Sequence, residues 1–387
     1  MGSTTSQRTN GRPPEPGVTS RPGEASIRAM TRDGVPRIRA AEIVLPGGDL
    51  ENTSEFFTER LGFRVDSVFP ADRPQVIVVS GHGVRIRLER GEDRSEGRLR
   101  LSCNDPAAIA GGTTQLTAPN GTRVELVAAD PPLVLPPAVQ SFVLTRSADT
   151  AWGVGRAGMR YRDLIPNRQG GRFIASHIHI PDGGPVPDYV HFHKIRFQMI
   201  YCYKGWVKVA YEDQGPPLTM QAGDCVLQPP QIRHRVLECS PGLEVIEIGC
   251  PAEHETCADE EMDLPTPELR PERKFGGQRF VHHVAATARW GPWRLPGFEF
   301  RDTGIAEATD GLVGARVVRP VASPSVDPQR VDGEFHFVFI LRGSVSLHCE
   351  GAEKLEAGDC FVLPAQTTHS LAECSGDLEF LEVTLPA

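Results

Sequence analysis

No run of apolar residues in this chain is long enough to cross a bilayer, and no charged-then-apolar segment resembles a secretion signal. Membrane insertion is therefore not expected, and the cytoplasm is the expected compartment. An excess of basic charge is also missing: 41 Lys and Arg against 50 Asp and Glu leave a formal charge of −9. With no helix-turn-helix segment or basic recognition helix, nucleic acid is not an expected partner. The nine cysteines are odd in number, and no two stand in a CxxC spacing. Cys225, Cys239, Cys360 and Cys374 sit in apolar segments, where a thiol acts as a small buried hydrophobe, so reduced cysteines are expected. Long helical periodicities are scarce. In their place 39 Gly and 34 Pro punctuate short β-branched runs, which favours strands and turns.

At 387 residues the chain exceeds what one core usually fills, so two or three domains are expected. Residues 1–36 are rich in Gly, Pro, Ser, Thr and Arg without apolar periodicity, and read as a disordered leader. Met1-Gly2 with Ser6 fits a myristoylation pattern formally, but a chance match in a low-complexity tail is the preferred reading.

An internal repeat sets the architecture. The segment from Ala222 to His234 recurs from Ala357 to His369, and the match runs without a gap to Pro251-Ala252 against Pro386-Ala387, with about half the positions identical. Upstream, Gln198 to Gly205 aligns with His336 to Gly343. Two copies of one short-stranded unit imply two closed or sandwiched antiparallel β units in tandem.

The first copy carries His191-Phe-His193. Strand side chains alternate with period 2, so both imidazoles share a face. His234, arriving from a later strand, can complete a three-nitrogen metal site with positions left open. Gly184, His191, His193, Gln198 and Gly205, then Gly223, Pro229 and His234, resemble the cupin pattern G-x5-HxH-x3,4-E-x6-G and G-x5-PxG-x2-H. Three departures stand out: one extra residue after Gly184, Gln231 in place of a glycine, and Gln198 in place of the acidic ligand. The resemblance implies a bicupin, with two jelly-roll barrels at 158–256 and 298–387 joined by a connection at 257–297. It also implies one divalent ion per chain on His191, His193 and His234, with Gln198 a weak ligand or an outer hydrogen-bonding group. Three neutral ligands leave the ion's full charge in place, which favours a small anionic substrate. Several cupin dioxygenases use three-histidine iron, so Fe(II) with O2 is the favoured pairing; Zn, Cu, Ni and Mn also suit imidazole. His177 and His179 share a face of the preceding strand, pointing either into the barrel or out of it. With Gln198 and Arg196 they complete the expected catalytic set, and Arg172 is a further candidate for a substrate carboxylate. In the second copy Gln329 and Val331 stand where His191 and His193 stand. Only His336 and His369 remain, so that barrel is expected to be structural or to shape the substrate site.

The segment 37–130 reads as a small α+β module (βαβββ), followed by a linker at 131–157. Arg39 to Leu45 is extended, and Leu50 to Leu61 is helical with Asn52, Thr53 or Ser54 available to cap. Strands follow at 75–80, 84–89 and 123–127. Asp49-Leu50, Phe56-Phe57, Leu61-Gly62-Phe63 and Asn120-Gly121 before Val124-Glu125-Leu126 resemble the vicinal oxygen chelate family that includes glyoxalase. That resemblance places Glu42 and Glu125 at ligand positions, although only one of the family's two paired units is legible. The favoured function is a metal-dependent dioxygenase acting on a small oxygenated aromatic or carboxylic substrate, assembled as a homodimer. A redox-neutral isomerase, lyase or decarboxylase and a non-catalytic small-molecule binder are the alternatives.

Overall fold

Period-2 alternation along the two longest repeated strands sorts the molecule into layers. The computed structural model describes residues 38–386, apart from 48, 61, 82, 91–97, 118–122, 156–157, 322–323 and 325. The leader, Leu61 and Asn120-Gly121 thus lie outside the described residues. Along Phe197–Lys204, Ile200 and Cys202 join Val207, Val209 and Met220 inside the first barrel. Met199, Tyr201 and Tyr203 face the other way, into a core shared with the second barrel. Phe335–Arg342 repeats this division: Val338 and Ile340 fill the second barrel, while Phe335, Phe337 and Phe339 enter the shared core. Phe173 stacks on Phe335 there, with ring centroids 4.1 Å apart.

The fold is mainly β, with two tandem jelly-roll barrels behind a small α+β module. Each barrel pairs a seven-stranded sheet with a second sheet. The repeat preserves the turns as well as the strands. Gly205 and Gly343 both adopt positive φ, and a Cβ at either would lie within 2.5 Å of a serine hydroxyl, Ser240 or Ser375. Those hydroxyls accept the backbone N–H of Trp206 and Ser344, so glycine and serine are retained together.

Two segments expected to be connections supply strands instead. Val143–Thr145, inside the expected linker, pairs with Cys360–Val362 of the second barrel. Val281–His283, inside the expected connection, pairs with Cys225–Leu227 of the first. Each barrel is thus closed by chain that lies outside its repeat.

The amino-terminal module runs Ile38–Pro46, a helix from Leu50, then Arg64–Phe69, Val76–Gly81 and Val84–Glu89, a βαβββ order built with Arg64–Phe69, which was not expected, and without the expected strand at 123–127. Asp49 caps the helix, accepting from Asn52 N at 3.1 Å, so the expected caps at 52–54 lie inside the first turns of the helix instead of before it. Only Leu50–Glu55 is α-helical; Phe56–Arg60 continues as a π-helical turn. A shorter second half, Arg98–Cys103, Pro106–Ala110, Gln115–Thr117 and Arg123–Ala128, continues the same sheet from Ile38–Pro46. The sequence had shown one unit only. At its other edge, Arg64–Phe69 pairs with Glu255–Ala258, which in turn pairs with His191–Lys194. One sheet therefore runs from the module into the wall that carries the histidines.

Candidate metal centre

His191 and His234 face each other directly across an antiparallel pair, and His193 follows one alternation later on the same strand. The three rings lie 4.3–5.3 Å apart between centroids. One ligand nitrogen from each falls within 4.8 Å of the others. Among the described residues this is the one such histidine, cysteine or carboxylate group. His191 and His234 are buried and His193 is half-buried.

Hydrogen bonds to the far side of each ring hold it in place, and two of them set the tautomer. His191 Nδ1 lies 2.8 Å from Tyr189 O and His234 Nδ1 lies 3.0 Å from Ile232 O. A carbonyl can only accept, so Nδ1 donates in both rings and the lone pair resides on Nε2. Thr256 Oγ1 lies 3.0 Å from His193 Nδ1; a hydroxyl both donates and accepts, so this contact holds the ring without choosing its tautomer. Three neutral imidazoles oriented from behind form the donor set that a borderline divalent ion takes, so the residues fit the metal that the sequence implied. Thr256 belongs to the strand shared with the amino-terminal module and is paired in register with His193 on one side and Val68 on the other. Thr256→Val is expected to loosen metal retention by about 10–100-fold. Competition with a chromogenic chelator measures this, and retention equal to wild type would remove Thr256 from the account.

Gln198 shares the inward face with Ile200 and is 2% exposed. Its amide Nε2 donates to Glu247 Oε1 at 2.5 Å. Glu247 projects to the same interior as Val245, whereas Ile246 and Ile248 enter the shared core. Tyr211 lies against the ring of His234 at 5.7 Å, and Glu247 is among the charges that push its hydroxyl pKa up, burial being the larger cause. Glu247 was not anticipated from sequence, although Glu382, its partner in the repeat, was the available signal. His254 was missed too. Its ring lies 5.2 Å from His193, and its Nδ1 donates to Pro251 O at 3.2 Å. Burial lowers its pKa, so it is held neutral. No spacing rule reaches it.

At position 231 the family pattern has glycine. Gln231 adopts that left-handed backbone anyway, with φ of 64°, as Gln366 does in the repeat with 70°. The turn survives the substitution, and Gln231 N donates to His193 O at 3.1 Å.

The remaining expected site residues lie elsewhere. His177 and His179 point out of the barrel, because Ile178 between them points in. His177 donates from Nε2 to Glu244 at 2.7 Å and receives Arg162 Nη2 on Nδ1 at 2.9 Å; Trp152 packs on both histidines. Burial lowers the His177 pKa, consistent with a neutral relay between cation and anion. Neither histidine joins the triad. Arg172 and Arg196 both pair with Glu334, tying the barrels together rather than facing a substrate. Burial would raise the Glu244 pKa, but hydrogen bonds from His177 and Lys204 outweigh it and hold the value at about 2. The pair's stabilisation is thus full above the ordinary carboxylate value of 4.5 and lost as pH falls toward about 2. Acid titration of thermal stability should show wild type losing its advantage over Glu244→Gln across that window.

The second barrel holds no comparable centre among the described residues. His336 stands where Gln198 stands and reaches Glu382 at 3.0 Å, while Arg294 grips the same carboxylate at 2.6 and 2.9 Å. His369 lies 5.7 Å from His336 between ring centroids. Burial, then the charges of His336 and Arg294, pull its pKa down to about 4. A guanidinium supplies the positive charge beside that carboxylate, and among the described residues His336 and His369 belong to no group of three close donors. The expected ligands of the amino-terminal module are likewise ion-paired. Glu42 meets Arg85 at 3.0 Å, and Glu125 meets Arg100 at 3.8 Å. In strand register Arg100 stands between the two glutamates.

No family model matches the chain, and no curated protein matches it. Among solved structures it is similar to protein Ylba of E. coli, at TM-score 0.47 and 11% identity over 66% of this chain and 94% of that one. It is also similar to an oxalate decarboxylase of Lactobacillus farciminis, solved as a formate complex, at TM-score 0.48 and 13% identity over 65% and 90%. A deletion mutant of Bacillus subtilis oxalate decarboxylase gives TM-score 0.45 and 14% identity over 62% and 76%.

Proposed function

We propose that the first barrel is a mononuclear metal centre on His191, His193 and His234 that acts on a small anionic, chelating substrate, with oxygenation by O2 as the favoured reaction. The observation that carries this reading is the tautomer setting: carbonyls behind His191 and His234 direct both Nε2 lone pairs away from their own strands. A divalent ion there supplies a Lewis acid with positions open to further ligands. Around it, the chain's own residues bind and orient. The neutral histidines leave the positive charge to be met by the substrate. Gln198, anchored on Glu247, presents its amide to the interior and fixes that carboxylate.

Glu247 favours a second reading. Loss of the acidic ligand at position 198 had removed the obvious general base, yet Glu247 returns a carboxylate to the barrel interior. Such a group can accept and return a proton in a redox-neutral isomerisation or decarboxylation. Elemental analysis and turnover of candidate hydroxycarboxylates and catechols with and without O2 separate the readings. Stoichiometric iron with O2-dependent turnover supports oxygenation. Undiminished anaerobic turnover that falls in Glu247→Gln supports the second, and a metal-free, fully active protein overturns both.

A further inference from the structure

Each barrel carries one buried arginine at an equivalent place in the repeat, Arg162 and Arg301. In the first, Arg162 stands in register with His177. Its Nη2 donates to His177 Nδ1 and to Gly358 O, and His177 passes the interaction to the Glu244 carboxylate. In the second, Arg301 occupies the matching position, and its register partner is Val317. Gly223, the counterpart of Gly358 in the repeat, lies under its guanidinium. No imidazole stands at the register position here.

Arg301 is 5% exposed, yet among the described residues no carboxylate lies within ion-pair distance of it. Its partners are neutral: the Tyr201 hydroxyl at 3.2 Å and His283 Nε2 at 3.5 Å, while its own Nε makes no hydrogen bond. The nearby Asp224 carboxylate is occupied by the backbone N–H groups of Gln221 and Ala285. A buried guanidinium without an anion is costly, and the cost is relieved when an anion arrives. Space for one is present. A cleft of about 470 Å³ opens over Arg301, walled by Tyr201, Tyr203 and Trp290 and rimmed by Arg342 and Glu379.

We propose that this cleft is a second ligand site, separate from the metal centre, that takes a small organic monocarboxylate with a flat apolar body. The charges set the valence. Arg342 is paired with Glu379, so among the described lining residues Arg301 is the one cation outside an ion pair, and Asp224, which lies outside the lining, keeps its oxygens on backbone N–H groups. That matches a monocarboxylate better than a phosphate dianion, and a guanidinium fork suits a planar carboxylate. Tyr201 accepts from Arg301, so its own O–H proton is left to donate to the same anion. The aromatic walls then cover the apolar body.

Benzoate is the probe, titrated calorimetrically into the full chain carrying His193→Ala, so that the metal centre cannot contribute. Saturable binding of one benzoate per chain is expected, weakened about tenfold or more by Arg301→Met. Because Arg301 is buried, Ala286→Glu serves as a second variant: position 286 is exposed at the cleft rim, and its carboxylate would compete in place. It should weaken benzoate by a similar factor, while Arg162→Met should not. Absence of saturable binding, equal binding in Ala286→Glu, or tighter binding of inorganic phosphate than of benzoate overturns the proposal.

Discussion

Substituting His193 by alanine is expected to strip the chain of its metal and reduce turnover by more than about 100-fold. Loss of a mere orienting partner already costs about 10–100-fold in metal affinity. Removal of a ligand removes a bond as well as an orientation. His191 and His234 remain opposed across their strand pair, but two imidazoles without a third donor make a weak and poorly directed site. The fold should not suffer, because His193 is half-buried and its strand is held on both sides by register pairs. Elemental analysis, turnover and thermal unfolding on one preparation check all three points. Retained metal with retained activity would sink the assignment of this barrel.

Glu382→Gln in the second barrel is expected to destabilise the protein by about 3–5 kcal/mol, the cost of removing one partner from a buried charge network. Glu382 is 1% exposed and receives His336 and both Nη atoms of Arg294, with Arg316 at 3.6 Å. Burial alone would raise its pKa; these partners reverse that and hold the carboxyl far below its ordinary value. The sign follows from the depressed value. Its stabilisation is present above the ordinary carboxylate pKa and is lost only in strong acid. Urea unfolding at neutral pH measures the loss. A change under about 1 kcal/mol would show that Arg294 and Arg316 turn to solvent without penalty.

Both predictions come from one repeated device. Gln198 with Glu247 in the first barrel becomes His336 with Glu382 in the second, at equivalent interior positions. In the first the three histidines stand beside it; in the second Arg294 takes the carboxylate. The repeat was plain in the sequence because gapless identity needs no folding to be seen. Its consequence was not, since Glu247 and Gln198 are 49 residues apart and meet only when Phe197–Lys204 pairs with Leu243–Cys250. Thr256 and His254 were hidden for the same reason. The short strands Arg64–Phe69 and Arg98–Cys103 escaped notice because polar residues, Arg64, Asp66 and Ser67 in one and Arg98, Arg100 and Ser102 in the other, fill half of each short run.

The sequence by itself determined two β barrels in tandem, the inward face of Gln198, and the three histidines as one group. Strand periodicity and motif spacing are local properties that the covalent chain carries unaided. Tertiary structure decided the rest. It turned His177 and His179 outward, bound Arg172 and Arg196 to Glu334, and placed Thr256 behind His193 and Glu247 against Gln198. It also left Arg301 facing an aromatic cleft, whereas Arg162 reaches the Glu244 carboxylate through His177. Each of these depends on which strands pair and in what register, and pairing between distant segments is set by the burial of whole sheets.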